Sequence, residues 1–301
     1  MDVGVPVWSD AETGLGLRLS DWPAIDGIPI LVPDPEAFVL RHGPRVGRGL
    51  GMATVPHEPI PVDAPDALTP HLPPGRWPLA LLPPEPLGTW VRGLGERCPD
   101  AVCSDWGRAL APEGPSLDAG CGVGGMARRM AESGRQVLAF DRSPDAVRLA
   151  RALLTGGIRE VPVPMARAQA SLHAWPHAAL PKDRVRWAVA DVRAAPIPPD
   201  TFAWVHLGAV LDMVDEPVEA IIDALAPAIC SGGLLTVATP HDEDQVPVVG
   251  SADPVGLLRE ALGQLGFEVV AEDRAVPWVV RQYNRACRVL FVDCIAARVT
   301  W

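Results

Sequence analysis

The chain is poor in lysine, tyrosine and phenylalanine: Lys182 is its one lysine, Tyr283 its one tyrosine, and it has 5 phenylalanines against 10 tryptophans. With a net charge of −11 and its basic groups supplied almost wholly by arginine, it lacks a lysine-rich face able to displace counterions from a phosphate backbone. Nucleic acid is therefore not expected as a partner. The solitary tyrosine and lysine lie far apart, which excludes the YxxxK dyad of the common short-chain dehydrogenases. No run of about 18 apolar residues is present, and the N-terminus MDVGVPVWSDAE is acidic where a signal peptide would be basic and then apolar. These absences predict a soluble, cytoplasmic protein without a membrane partner. The 6 cysteines include no CxxC pair and no histidines at finger spacing, so no metal site is expected. Cys98 and Cys103 are close enough in sequence to bridge, but buried free thiols are the expectation in a reducing compartment.

At 301 residues and 48% hydrophobic content the chain can bury one α/β domain of ordinary size together with a smaller region. Prolines crowd between Pro56 and Pro86, and few periodic runs precede residue 100. The organisation read from this is an appended region over 1–60, a linker with cover helices over 61–112, and the main domain over 113–301. In the main domain, short apolar runs alternate with helical periodicity. A first strand is predicted to end at the start of residues 116–130, with further strands at Gln136–Phe140, Val185–Ala190, Thr201–Leu207, Leu234–Thr239, Phe267–Ala271 and Arg288–Val299. Trp278 and Tyr283 fall in a long connection between the last two. Strands alternating with helices imply a parallel sheet with right-handed crossovers.

The most informative stretch is SLDAGCGVGGMARRM, residues 116–130: an apolar strand end, a carboxylate, a run of glycines, and a helix start. Such a turn accepts positive φ and lets a ligand approach bare backbone. The glycines alone are ambiguous, because Gly120, Gly122 and Gly125 also satisfy the GxGxxG pattern of dinucleotide-binding enzymes. Asp118 stands two residues before the first glycine, where a carboxylate can hold the turn's amides or attract a cation. Asp141 ends the next strand, at a position suited to ribose hydroxyls, and Asp191 ends the third.

With Asp118, Gly120, Gly122 and Gly124 the chain resembles the class I S-adenosylmethionine-dependent methyltransferases, whose first motif is DxGxGxG. The resemblance implies a Rossmann-like fold: an α/β, seven-stranded, mostly parallel sheet with an antiparallel last strand. It implies that Asp118, Gly120, Cys121 and Gly122 wrap the methionine part of S-adenosylmethionine. Asp141 with Arg142 would then meet the ribose, Asp191 and Val192 the adenine, and Leu207 would border the cofactor on the fourth strand. Within the N-terminal region, DGIPILVPDP at Asp26–Pro35 is similar to the zinc-ribbon-like Trm112-type segments fused to some bacterial methyltransferases, without their cysteines. A plain hairpin edge reads equally well from the same residues.

Methyl transfer from a sulfonium is an in-line displacement in which alignment supplies much of the acceleration, so no catalytic residue need stand out. Candidates for a base or acceptor-orienting group at the strand exits are His241, His206 and Asp212. Asp212 lies in VLDMVDEP, similar to the LDR-type turn of some methyltransferases, with Ala209 and Met213 where a histidine-methylating branch carries asparagine and arginine. Residues 155–184 exceed a simple connection and offer a lid or substrate wall, and Arg281 and Tyr283 are further pocket candidates. The activity expected is methyl transfer to a small-molecule or peptide acceptor. The rival readings are a non-catalytic S-adenosylmethionine-binding partner protein and an NAD-dependent oxidoreductase.

Overall fold

The computed structural model describes residues 97–301 apart from 158–159, 165–169, 175–176, 182, 241–252 and 284–285, together with positions 22, 24–25, 27–32, 34–35 and 38. A short hairpin, β1 (Ala24–Ile25) and β2 (Ile28–Leu31), comes first. There follow α1 (Pro99–Leu110), β3 (Ser116–Ala119), α2 (Gly125–Glu132), β4 (Val137–Asp141) and α3 (Pro144–Leu154). A second hairpin, β5 (Glu160–Pro164) and β6 (Ala170–Ala174), leads to β7 (Val185–Ala190), β8 (Phe202–Gly208), α4 (Val218–Leu225) and β9 (Ile229–Thr239). The chain closes with α5 (Pro254–Gln264), β10 (Phe267–Tyr283) and β11 (Ala286–Val299).

The main sheet runs β1-β2-β7-β4-β3-β8-β9-β11-β10. From β2 to β9 neighbours pair parallel, and β11 pairs antiparallel with both β9 and β10. This is the Rossmann-like arrangement with the expected antiparallel last strand, but the described sheet has nine strands rather than seven. The extra two are the N-terminal hairpin. Its β2 adds to the free edge of β7 through Ile30↔Val189 and Leu31↔Ala190, with Ile28 and Ile30 buried. An unpaired parallel edge would expose a row of amides and carbonyls, and this short hairpin covers it.

The central strands read as continuous apolar runs, VLAF and FAWVHL, because helices cover both faces. On one face α1, α2 and α3 bury Val102, Met126, Met130, Val147 and Leu153 against Val137, Ala139, Trp187 and Trp204. On the other, α4 and α5 bury Ile221, Ile222, Leu258 and Leu262 against Leu138, Phe140, Val205 and Leu235. No helix among the described residues is long and apolar enough to cross a membrane. Cys98, Cys103, Cys121, Cys230 and Cys294 are free thiols, so the Cys98–Cys103 bridge is absent.

Two elements correct the sequence reading. The strand begun at Phe267 does not stop at Ala271 but runs to Tyr283, with Trp278 opposite Leu290 inside the β10–β11 ladder. The charged run Glu272–Asp273–Arg274, which reads as loop, is accommodated by register shifts at Val269/Ala271 and Asp273/Val276, with Ala275 at φ 54°. Since β9 ends opposite Asp293, the far half of this arm stands beyond the carboxyl edge of the parallel strands. The 155–184 connection is likewise not bare loop: it folds into β5–β6, and β5 comes against β10.

Helix α1 seats on the sheet through Gly107, where an added Cβ would lie 2.2 Å from the Trp204 ring. That ring cannot yield easily, since its Nε1 donates to Thr236 Oγ1 at 2.8 Å. Gly→Ala inside a helix normally gains up to about 1 kcal/mol of helix propensity, whereas overpacking of this kind costs about 1 to 3 kcal/mol. Gly107→Ala is therefore expected to lower the urea midpoint at unchanged m-value. A raised midpoint would show that α1 does not press on Trp204.

Candidate functional site

The site forms where the chain reverses its direction across the sheet. From β3 the chain goes on to α2 and then to β4 on one side; β8, on the other side of β3, leads to α4 on the opposite face. The crevice outside the carboxyl ends at such a switch point is where α/β sheets bind ligands. The turn after β3 passes through Gly120, Gly122 and Gly124 at φ 79°, 50° and 84°. At Gly120 a Cβ would lie 2.3 Å from Val210 Cγ2, so the turn from β3 and the loop from β8 meet at bare backbone.

Carboxylates hold this turn in shape. Asp141 Oδ2 accepts the Gly122 N–H at 3.0 Å and its Oδ1 accepts the Ser143 N–H at 2.8 Å, so one side chain joins the glycine turn to the start of α3. Ser143 caps that helix by accepting the Ala146 N–H. Asp118, 2% exposed, does not open to the crevice mouth but turns under it, and its Oδ2 accepts the Ala127 N–H in the first turn of α2 at 2.8 Å. Burial pushes its carboxyl up to about 8, reinforced by the nearby Asp100 and Asp141. Asp100, in the first turn of α1, lies with Oδ2 2.7 Å from where a Cβ on Gly125 would be, and burial raises its pKa with Arg129 opposing. Asp100 escaped the sequence reading because only the fold brings the start of α1 to the start of α2.

At the next strand end, Asp191 is gripped by Arg193, which also reaches Glu216 from the loop after β8. Arg142 is exposed beside Asp141, and Val192 and Cys121 are buried. Leu207, one residue before the end of β8, buries its side chain on the sheet face covered by α4 and α5. His206 corrects the expectation of a base at this strand exit. Its ring is 1% exposed, Nδ1 is hydrogen-bonded with Thr236 Oγ1 at 3.0 Å, and burial pushes its pKa down to about 3. A ring so placed is a neutral core histidine. Asp212 lies partly buried in the turn after β8. His241 falls outside the described residues, as do the side chains of Arg281 and Tyr283.

A methyltransferase-domain family profile matches residues 96–284, more than half of the chain. The chain belongs to the methyltransferase-domain family. The cofactor is S-adenosylmethionine, and the donor set fits it: the carboxylates of Asp141 and Asp191 at the carboxyl ends of neighbouring strands suit the hydroxyls and amino group of a nucleoside. No curated protein matches the sequence. Among solved structures, a chain described with the conversion of a disulfide bond into a thioacetal group during echinomycin biosynthesis is 19% identical, at TM-score 0.48, over 75% of this chain and 89% of that chain. A SAM-dependent methyltransferase from Methanosarcina mazei is 16% identical, at TM-score 0.45, over 64% and 95%. Magnesium protoporphyrin IX methyltransferase from Synechocystis PCC 6803 with bound SAM is 17% identical, at TM-score 0.45, over 72% and 85%.

The raised pKa of Asp118 makes stability depend on pH in a definite direction. In the unfolded chain its carboxyl ionises near pH 4, whereas in the folded chain it keeps its proton until about 8. Between these the unfolded state binds fewer protons, so this group's contribution falls as pH rises, by at most about 1.4 kcal/mol per pH unit. Asp118→Asn keeps an acceptor for Ala127 and removes the titration. Its urea stability is expected to gain on the native protein steadily from pH 5 to pH 8. A constant difference over that range would show that Asp118 is ionised throughout.

Proposed function

We propose that this protein transfers the methyl group of S-adenosylmethionine to a small-molecule or peptide acceptor. The observation that carries the reading is the occupancy of the start of α2 by the protein's own acids. In a dinucleotide enzyme that helix N-terminus receives a pyrophosphate. Here Asp118 accepts its Ala127 N–H and Asp100 lies against Gly125, so the anion position already holds carboxylates. A pyrophosphate would find the Ala127 N–H already taken by Asp118, whereas a sulfonium nucleoside asks for no amide there.

When bound, S-adenosylmethionine supplies a carbon activated for displacement. The protein's own part is to bind and align. In this reading Gly120, Cys121 and Gly122 line the methionine end with backbone, Asp141 and Arg142 meet the ribose, and Asp191 and Val192 meet the adenine. The β10–β11 arm beyond the carboxyl edge, met by β5, walls the acceptor side and keeps water from the reacting carbon. An acceptor that must lose a proton would give it to Asp212 or His241 at the exits of β8 and β9, since His206 is committed to Thr236.

Calorimetric titration with S-adenosylmethionine, S-adenosylhomocysteine and NAD tests the cofactor reading. The two sulfur nucleosides are expected to bind and NAD to fail. Asp141→Ala should weaken S-adenosylhomocysteine at least tenfold, since a hydrogen bond to a charged group contributes about 1.5 to 3 kcal/mol. Preferential binding of NAD, or unchanged affinity in a folded Asp141→Ala, would overturn the assignment. Transfer of labelled methyl groups to a panel of phenols, imidazoles, amines and short peptides then tests turnover.

A further inference from the structure

Arg193 stands two residues past Asp191 on the exit from β7, and methyl transfer itself asks for no arginine there. Its guanidinium grips the carboxylate as a fork, Nε donating to Oδ1 at 2.8 Å and Nη2 to Oδ2, while its own backbone N–H donates to Oδ1 at 3.1 Å. The remaining arm, Nη1, donates to Glu216 Oε1 at 2.8 Å, tying the loop after β7 to the loop after β8. An isolated surface ion pair contributes little, but a bidentate fork inside a charge network fixes geometry.

A carboxylate offers about four acceptor positions. Three are taken by Arg193, which leaves one, on Oδ2. The surrounding charges also keep the carboxyl ionised: its pKa lies below the usual range, through the Arg193 fork first, with Arg142 from the loop after β4 adding to it against partial burial. Asp191 is thereby an acceptor with a single vacancy and no proton to give.

We propose that Arg193 is a positioning residue that fixes Asp191 so that its one remaining acceptor position faces the base of the cofactor, selecting a 6-amino purine over a 6-oxo purine. Adenine presents an N–H donor at position 6, which this oxygen accepts. Hypoxanthine presents a carbonyl oxygen there, and two acceptors facing each other in a partly desolvated crevice repel. Glu216 acts one step further out, by holding the arginine. The inference rests on the S-adenosylmethionine reading and adds to it the origin of base selectivity.

The test compares S-adenosylhomocysteine with S-inosylhomocysteine by calorimetry on the full chain, because their affinity ratio isolates the base edge. The native protein is expected to prefer the adenine compound at least tenfold. Arg193→Met should cut that preference at least fivefold, Arg193→Lys should restore only part of it because an ammonium cannot form the fork, and Glu216→Ala should cut it less than Arg193→Met. A merely structural role would lower both affinities together and leave the ratio unmoved. An undiminished ratio in Arg193→Met, or a native protein that binds both compounds equally, overturns the clamp while leaving the cofactor reading standing. A native protein that binds neither removes the cofactor reading, and the clamp with it.

Discussion

One side chain, Asp141, sets the geometry on which the site depends. By accepting the Gly122 and Ser143 amides it locks three things together: the turn after β3, the end of β4 and the cap of α3. A turn with three glycines in the left-handed region has little stiffness of its own, since glycine is free to adopt many alternatives. The carboxylate supplies the stiffness from the neighbouring strand. On the proposed reading the same group that shapes the cradle also meets the ribose.

Around that link the charge distribution is inverted relative to an anion-binding α/β site. Helix N-termini favour negative ligands, yet here the start of α2 is served by Asp118 from below and Asp100 from α1. Arg129 opposes the buried acid of Asp100 there. On the proposed reading a sulfonium nucleoside needs no amide from the start of α2, where a pyrophosphate would. Farther along the edge, at Asp191, the arrangement changes to a clamped carboxylate flanked by Arg142 and Arg193. On the proposed reading the two ends of the crevice meet different parts of one molecule.

Much of this was legible in the sequence where local chemistry and tertiary role coincide. Asp118, Asp141 and Asp191 were readable as strand-end acids because the runs before them are apolar on both faces, the mark of a covered parallel strand. Parity within a strand was less legible: Leu207 and His206 both lie near the exit of β8, but whether a side chain reaches the crevice or the core depends on register with β3 and β9. The full length of β10 was hidden by Glu272–Asp273–Arg274, charges that a bulged edge strand tolerates because one side faces solvent. The β1–β2 hairpin was legible as one of two readings of Asp26–Pro35, but not its place on the sheet, since its pairing is defined by the edge of β7 that it covers. Asp100 and Glu216 owe their places to contacts between segments remote in sequence.

The central claim is that the glycine turn and the strand-end acids enclose S-adenosylmethionine along the carboxyl edge. A crystal structure with S-adenosylhomocysteine tests it most directly. The account predicts ribose hydroxyls within about 3 Å of the Asp141 carboxylate and the adenine amino group at a similar distance from Asp191. A nucleoside bound elsewhere, or bound in the crevice with its ribose turned away from Asp141, would contradict it.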